Sequence, residues 1–237
     1  MSYRDFDVES LAQYLHLTTA QVQRMSDRGK LPGRKIAGEW RFSQADIHHW
    51  LEDRIGLSDE EELADVEGTL RRAHGVTAEP LPSIVELLPV EAIAVPLAAR
   101  TRGSVTTEMV ELAAHTGWLW DTSQMADAVR LRESLHPTAL DNGVALLHPR
   151  RPLSTILAQP FLAFGRTHQG LPFGHPRGTL TDLFFLICST DDRTHLRVLA
   201  RLSRLVSSAN LLTALRDAAS PRDVRETIRR FENELPE

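Results

Sequence analysis

Several patterns that would place the 237-residue chain in a known class are scarce or missing. A single cysteine, Cys188, excludes an internal disulfide framework and fits a reducing compartment. No apolar run reaches the roughly 18 residues that a membrane span requires. The first residues also lack the basic and apolar regions of a secretory signal. The sequence therefore predicts a cytoplasmic protein that does not insert into a membrane.

Signatures of several catalytic classes are missing as well. The chain contains no HExxH segment, no paired His/Cys spacing, no glycine-rich phosphate loop and no G-x-S-x-G elbow. We therefore expect neither a metal site nor a cofactor. Cys188 ends an apolar run, and nothing beside it in the sequence would activate the thiol. We interpret it as a core residue rather than a nucleophile.

The net charge of −5 arises in one segment of the chain. Residues 1–56 contain 8 Lys/Arg and 8 Asp/Glu, and residues 83–237 contain 17 of each. Residues 57–82 contain 2 against 7, which accounts for the whole imbalance. We expect an N-terminal domain over 1–56, an acidic linker with one short helix over 57–82, and a second domain over 83–237.

The N-terminal segment has the pattern of a helix-turn-helix. Two short amphipathic helices, at 8–14 and 20–27, flank a tight turn. Thr19, Gln21 and Arg24 lie on the predicted exposed side of the second helix. These side chains can reach base edges and phosphates, so the pattern predicts DNA binding.

A basic hairpin is predicted to follow the second helix. Residues 30–42 suit two short strands that turn at 37–39, and a third helix begins at Ser43. Residues 24–41 contain six Lys/Arg and two Asp/Glu, a net charge of +4 that suits contact with a phosphate backbone. Helix spacing alone leaves an alternative open, a protein-interaction module whose basic face is only solvated.

The string DVESLAQYLHLTTAQVQRMSDRGKLPGRKIAGEWRFSQADIHHWL resembles the excisionase/MerR-like winged helix-turn-helix family. The matching features are the LAxYL first helix, the V-x-R of the second, the G-K-L-P at its end and the K-I-x-G-x-W-R-F wing. The resemblance implies recognition-helix roles for Thr18, Thr19, Gln21 and Arg24. It implies wing roles for Arg34, Lys35 and Arg41.

The remainder of the chain alternates between helical and strand patterns, which predicts an α/β domain. Helices are predicted at 83–88, 105–117, 122–135, 194–209, 210–218 and 221–231. Strands are predicted at 92–96, 143–147, 156–164 and 183–188. The segment 159–178, which is rich in glycine and proline, is predicted to be a variable loop.

Two of the ten histidines have a chemical context. His148 directly follows a predicted strand, and open α/β sheets commonly place sites at strand ends. Arg150 and Arg151 add positive charge beside it. His195 lies in the opening turn of a predicted helix, where free N–H groups favour an anion. Because imidazole is a nucleophile near neutral pH, these histidines are suited to phosphoryl chemistry.

From about residue 82 to 231 the chain resembles the enzyme IIA domain of the bacterial phosphotransferase system, of the fructose/mannitol/nitrogen-regulatory type. The segments RESLHPT, NGVALLHP and THLRVL follow the order of that family's R-E-x-L-x-x-T, G-[IV]-A-x-x-H and H-L-x-x-L motifs. The resemblance implies that His148 is the phosphoryl acceptor, His195 the second active-site histidine and Arg132 the phosphate-stabilising arginine. It also implies a mixed five-stranded sheet with helices on both faces.

Together the two resemblances imply a bacterial regulator. It would accept a phosphoryl group on His148 from an HPr-type phosphocarrier and couple this to DNA binding. One alternative is a sugar-transport enzyme IIA component that passes the phosphoryl group to enzyme IIB. Another is an interaction protein that is not phosphorylated. The sequence leaves open whether the protein counts as an enzyme and whether it forms a homodimer.

Overall fold

The computed structural model describes residues 5–15, 17–44, 46–47, 50–51, 83–175 and 177–235. Contacts divide the chain into two units, Met1–Pro80 and Leu81–Glu237, and each is described by itself. The predicted acidic linker and its short helix lie outside the described residues. Within the described ranges, no helix is long and apolar enough to cross a bilayer.

Two helices and a hairpin form most of the described part of the N-terminal unit. The helices are α1 (Val8–Leu15) and α2 (Thr19–Asp27), and the strands are β1 (Arg34–Ile36) and β2 (Glu39–Arg41). The described residues between 44 and 51 are also helical, in agreement with the predicted third helix. The hairpin turns tightly because Ala37 and Gly38 both have positive φ, 51° and 86°, as such turns require.

A small apolar core holds this unit together. Leu11 of α1, Val22 of α2, Phe42 after β2 and Ile47 of the third helix are completely buried. Phe42 also exchanges two backbone hydrogen bonds with Phe6, at 2.8 and 2.9 Å, which ties the segment before α1 to the hairpin. The helices and the wing are therefore fixed to one another by a shared core.

The C-terminal unit alternates helices and strands as its sequence pattern predicts. In chain order the elements are α3 (Ile84–Leu87), a 3₁₀ turn (Val90–Ala92), β3 (Ile93–Leu97), α4 (Arg102–Ala114), α5 (Thr122–Leu135), β4 (Val144–Leu147), β5 (Phe161–Pro172), β6 (Leu180–Cys188), α6 (Asp192–Val206), α7 (Ala209–Asp217) and α8 (Pro221–Glu234). Helices α4 and α6 begin two or three residues before their predicted starts. The residues that cap them, Thr101 and Asp191, accept hydrogen bonds from the amides three residues further on.

A mixed sheet with the strand order β3-β5-β6-β4 forms the centre of this unit. The outer pairs, β3 with β5 and β4 with β6, are parallel, and β5 pairs with β6 in the antiparallel sense. Both faces of β6 are buried, since Phe184 and Phe185 point to opposite sides and are each 0% exposed. Helices α4 and α5 cover one face, and α3, α6 and α8 pack together against the other.

The predicted fold class, a mixed sheet with helices on both faces, is confirmed, but the number of strands differs. Four strands form the sheet within residues 83–175 and 177–235, where five were expected. Beside β4, Ala139 makes only an isolated bridge to Ala145. Pro137 precedes this bridge closely and the turn at 141–143 follows it, so too few residues are available there for another ladder.

The predicted variable loop over 159–178 is also wrong for most of its length. Strand β5 continues to Pro172, through Gly165 and Gly170. A Cβ atom at Gly165 would lie 2.7 Å from Met109 Sδ, and one at Gly170 would lie 2.7 Å from Leu180 Cβ. These glycines therefore allow close packing within a strand, and they do not indicate a loop.

A buried carboxylate connects the two ends of this unit. Glu232 near the end of α8 is 5% exposed and accepts hydrogen bonds from the amides of Ile84 and Val85, at 2.7 and 3.2 Å. Arg201 Nε on α6 lies 3.1 Å from the same carboxylate. The first turn of α3 is thus capped by the last helix, and the charge of Glu232 is paired inside the fold.

Candidate functional site

Strand β4 delivers His148 to the carboxyl edge of the sheet. All four residues of β4 are buried, and the His148 side chain that follows them is 2% exposed. His148 Nδ1 lies 2.7 Å from the carbonyl oxygen of Leu146. A carbonyl oxygen can only accept, so this contact places the ring proton on Nδ1. In the neutral ring the nucleophilic lone pair then belongs to Nε2.

The neighbouring parallel strand β6 brings His195 to the same edge. Ser189 directly follows β6, and its hydroxyl oxygen lies 3.2 Å from His195 Nδ1. His195 lies in the first turn of α6, where its amide donates to the carbonyl oxygen of Asp191 at 3.1 Å. The two imidazole rings are 5.1 Å apart between centroids and are inclined by 51°. His195 is 3% exposed, so the pair is set into the protein.

Arg132 lies in the last turn of α5 and is 5% exposed. Its Nη1 donates to the carbonyl oxygen of His136 at 2.7 Å, which fixes the guanidinium against the loop that leaves the helix. Two imidazoles and a guanidinium are groups that can bind and stabilise a phosphoryl group. The structure brings the two histidines together, and Arg132 Nη1 binds the carbonyl oxygen of His136.

Cys188 lies at the end of β6 and is 1% exposed. Burial raises the pKa of its thiol well above the ordinary value, so the sulfur stays protonated. This agrees with its interpretation as a core residue. Within the part of the chain that the structure describes, no group of three or more His, Cys, Asp or Glu residues is arranged to hold a metal ion.

The predicted DNA-reading residues of α2 are exposed, but two of them form the helix cap. Thr18 Oγ1 accepts from the amide of Gln21 at 3.2 Å, and Gln21 Oε1 accepts from the amide of Thr18 at 2.8 Å. This capping box uses the side-chain oxygen of Gln21, so a base contact from that residue falls to Nε2. Arg24 Nε donates to the carbonyl oxygen of Ala20 at 3.2 Å, and Thr19 is exposed at the start of the helix.

The three predicted wing cations each contact a carboxylate. Arg34 lies 3.5 Å from Asp5, Lys35 lies 3.6 Å from Asp27, and Arg41 lies 3.7 Å from Asp7 and 2.9 Å from Glu39. Trp40 Nε1 also donates to Asp27 at 3.2 Å, and Lys35 Nζ lies 5.1 Å from the centre of the Trp40 ring. In this network around the hairpin, three cations contact four carboxylates, and most of these side chains are exposed.

Sequence reasoning missed residues in both regions. Asp5 and Asp7 precede residues 24–41, the segment whose net charge of +4 was taken to suit DNA contact, and only the Phe6–Phe42 pairing brings them to the wing. Glu133 and Thr138 belong to the R-E-x-L-x-x-T segment, but no role was assigned to them. The structure buries both and joins them by hydrogen bonds. Their position in the same short motif as Arg132 is the sequence feature that could have identified them.

Residues 86–231 match the family model described as "Phosphoenolpyruvate-dependent sugar phosphotransferase system, EIIA 2". The chain belongs to this EIIA family. Residues 6–55 match a helix-turn-helix domain model, so an N-terminal helix-turn-helix domain precedes the EIIA domain. Both resemblances inferred from the motifs are confirmed.

Two relatives carry the fructose label in their names. The EIIA domain is similar to the fructose-specific EIIABC component of Bacillus subtilis (strain 168), with 30% identity over 139 residues. That alignment covers 58% of this chain but only 21% of the Bacillus protein, so the chain spans about a fifth of its length. The fructose-specific EIIA component of Haloferax volcanii is 24% identical over 147 residues, which cover 61% of this chain and 94% of the relative.

Solved structures of EIIA proteins share the fold. The nitrogen regulatory protein IIA-Ntr from Neisseria meningitidis superimposes with a TM-score of 0.56 at 24% identity, covering 61% of this chain and 98% of that protein. The IIA mannitol enzyme of Escherichia coli, in its complex with phosphorylated IIB mannitol, gives 0.53 at 19% identity, with coverage of 60% and 99%. At these identities the likeness establishes the EIIA fold.

Proposed function

We propose that the EIIA domain accepts a phosphoryl group on His148 Nε2 from an HPr-type phosphocarrier. The observation that carries this proposal is the hydrogen bond from His148 Nδ1 to the carbonyl oxygen of Leu146, at 2.7 Å, beside a second histidine. The bond fixes the tautomer in which Nε2 is the nucleophile. His195 and Arg132 are the groups that stabilise the phosphoryl oxygens.

The transfer forms one nitrogen–phosphorus bond and breaks another, so it requires no cofactor. The lone pair of His148 Nε2 forms a bond to phosphorus while the nitrogen–phosphorus bond of the carrier breaks, and its electron pair returns to the carrier's imidazole. The His148 ring, which keeps its proton on Nδ1, becomes formally cationic. The hydrogen bond to Leu146 then becomes charge-assisted and therefore stronger. The bond already strengthens as positive charge develops on the ring in the transition state, which is the requirement for accelerating the step.

Phosphorylation assays with matched histidine variants test this assignment. The full-length protein is incubated with labelled phosphoenolpyruvate, enzyme I and HPr, and acid-labile phosphate is mapped. We expect one phosphoryl group per chain in wild type and none in His148→Ala. His168→Ala, which changes an exposed histidine on β5, is the control and should label normally. Normal labelling of His148→Ala would exclude His148 as the acceptor.

We further propose that the protein is a regulator whose DNA binding depends on this phosphorylation. The helix-turn-helix match and the exposed polar residues of α2 and the wing support this proposal over a pure transport role. If the wing contacts three or four phosphates, the slope of log affinity against log salt should be about −3 to −4. Fluorescence anisotropy with duplex DNA, with and without phosphorylation, measures both the slope and the coupling. An unchanged affinity after full phosphorylation would show that the two domains are only tethered.

Transfer onward to an enzyme IIB partner is the second candidate function. It is supported by the solved complex of IIA mannitol with phosphorylated IIB mannitol, a protein of the same fold. Addition of purified IIB to the phosphorylated chain separates the two functions. Rapid loss of label from the chain to IIB would favour transport, and retention of label would favour regulation.

A further inference from the structure

Glu133 forms a buried clamp directly beside Arg132. The Glu133 side chain is 4% exposed, and its Oε1 accepts from the amide of Thr138 at 3.1 Å and from the Thr138 hydroxyl. Arg102 closes the outer side, with Nη2 3.3 Å from Glu133 Oε2 and 2.9 Å from the Glu133 carbonyl oxygen. The Arg102 guanidinium in turn lies 5.4 Å from the centre of the Phe173 ring.

Two adjacent side chains of α5 thus hold the loop that follows the helix. Arg132 binds the carbonyl oxygen of His136, and Glu133 binds the amide and the hydroxyl of Thr138. Helical hydrogen bonds do not extend into the loop, because the last one of α5 runs from the His136 amide to the carbonyl oxygen of Arg132. Its geometry therefore depends on these side-chain contacts.

The clamped loop connects to the candidate acceptor through one strand residue. The carbonyl oxygen of Thr138 accepts from the amide of Leu146 at 3.3 Å. The carbonyl oxygen of Leu146 accepts from His148 Nδ1 at 2.7 Å. A continuous series of hydrogen bonds therefore runs from Glu133 through Thr138 and Leu146 to the ring whose tautomer determines its reactivity.

We infer that Glu133 is a positioning residue for phosphoryl transfer, acting through Thr138 to fix the place of His148 relative to Arg132. The inference rests on the proposed role of His148. Burial of a carboxylate is costly unless it is fully bonded. Here that carboxylate links the loop that holds the guanidinium to the strand that holds the imidazole. A shift of about 1 Å between reacting groups can cost about 100-fold in rate, so such a link has a direct kinetic effect.

Paired variants of the full-length chain separate positioning from folding. Glu133→Ala removes the clamp, and Glu133→Gln keeps an acceptor oxygen for Thr138. Thr138→Val removes the hydroxyl in a side chain of the same shape, and Thr138→Ser keeps it. The matched control is Glu232→Ala. It removes a similarly buried carboxylate that also has three donors, two amides at the start of α3 and Arg201 on α6.

The first measurement is single-turnover transfer from phosphorylated HPr. We expect Glu133→Ala to lower the maximal rate about 10- to 100-fold and Thr138→Val to lower it less, with the HPr concentration at half-maximal rate unchanged. Glu133→Gln and Thr138→Ser should stay within about threefold of wild type. Glu232→Ala should lower the melting temperature and leave the rate within about twofold. The positioning role is wrong if Glu232→Ala slows transfer as much as Glu133→Ala. It is also wrong if Glu133→Ala transfers as fast as Glu133→Gln and Thr138→Val as fast as Thr138→Ser.

The second measurement reads the His148 ring without phosphorylation. In ¹⁵N-labelled protein, Nδ1 should have the shift of a protonated nitrogen and Nε2 that of an unprotonated one. We expect Thr138→Ser to preserve this pattern and Thr138→Val and Glu133→Ala to mix the tautomers. An unaltered pattern in both would overturn the inference. The ring shifts can be read even if wild type accepts no phosphoryl group, so the effect of Glu133 on the His148 ring is tested separately from the proposed function.

Discussion

The two polar regions of this protein hold their candidate functional side chains in opposite ways. In the EIIA domain, His148, His195 and Arg132 are all 5% exposed or less, and the backbone or a neighbouring side chain fixes each one. In the helix-turn-helix domain, the wing cations pair with carboxylates, and the side chains of Arg34 and Lys35 remain 72% and 55% exposed.

The difference indicates how each region responds to change. A buried site has one arrangement, and loss of one group leaves its neighbours unpaired in a medium of low polarity. An exposed network of charges exchanges partners at little cost, because water and ions replace what is lost. Substitutions should therefore have large, discrete effects in the EIIA domain and small, graded effects in the wing.

After the loss of labelling in His148→Ala, an effect as large as that of Glu133→Ala is expected at His195. His195→Ala removes a buried imidazole beside His148 and should slow phosphoryl transfer about 10- to 100-fold without abolishing labelling, since a charge-assisted contact contributes about 1.5–3 kcal/mol. Stopped-flow transfer from phosphorylated HPr measures this rate, with His168→Ala as the control. If His195→Ala transferred as fast as wild type, substitutions in the EIIA domain would not have the larger effects expected of a buried site.

In the wing, Arg34→Ala should weaken binding to all duplexes alike. Loss of one phosphate contact should make the salt slope less steep by about 1. Gln21→Glu is the informative partner, because Glu retains the capping oxygen for Thr18 while it removes the amide donor. This variant should keep the melting temperature and lose sequence preference. Binding titrations at several salt concentrations distinguish the two, and equal sequence preference in Gln21→Glu and wild type would exclude a base contact.

Removal of a wing carboxylate should have a smaller effect of the opposite sign. Asp5→Asn frees Arg34 from a pair at 3.5 Å and should raise DNA affinity by about two- to fivefold, the range of an exposed ion pair. The increase should disappear when Arg34→Ala is also present. An equal increase in both backgrounds would mean that Asp5 acts by its charge alone and not through Arg34.

The smallest expected effects are those of pH on the free energy of unfolding, and they have opposite signs in the two regions. Burial raises the pKa of Glu133 above its ordinary value of 4.5, although Thr138 and Arg102 counteract this. The folded protein then binds more protons in that range, so its free energy of unfolding should fall as pH rises from 4.5 through the raised pKa. Hydrogen bonds from Ser10 lower the pKa of Asp7, so the stabilisation from Asp7 is lost as pH falls below 3.8 through the lowered pKa.

Denaturant unfolding over this pH range, in wild type and Glu133→Gln, measures the first of these effects. The free energy of unfolding of wild type, relative to that of Glu133→Gln, should decrease as pH rises above 4.5. Below pH 4.5 this relative value should not change. Ser10→Ala is the matching variant for Asp7. The stability that it loses relative to wild type should be present at neutral pH and disappear as pH falls below 3.8. A wild-type stability that rises between pH 4.5 and 7 relative to Glu133→Gln would contradict the role of burial.

Local signals located the elements that local interactions define. Helix α5 begins and ends where its pattern predicts, because Asp121 caps its first turn and apolar residues recur along one face. Strand β4 is a short apolar run after a glycine, and that run suffices to place His148 at a strand end. His195 could be found in the same way, since Asp191 marks the helix start.

Tertiary contacts determine what the sequence could not predict. In the sequence, Gly165 and Gly170 suggest a loop. In the structure, Met109 and Leu180 pack closely against these two glycines within a strand. Asp5 becomes a partner of the wing only through the pairing of Phe6 with Phe42, and a charge count over consecutive residues excludes it. The partner of Glu133 is close in sequence, but the fact that the clamp is buried depends on Arg102, 31 residues earlier.

The carboxylate of Glu232 imposes an order in time. Its amide partner Ile84 lies 148 residues earlier. A ribosome that adds about 5–20 residues per second therefore makes the first turn of α3 about 7–30 seconds before the group that caps it. Throughout that interval the N-terminal helix-turn-helix is already complete in sequence, whereas the EIIA domain lacks the residue that closes it. The nascent protein is thus able to fold its helix-turn-helix domain well before its EIIA domain.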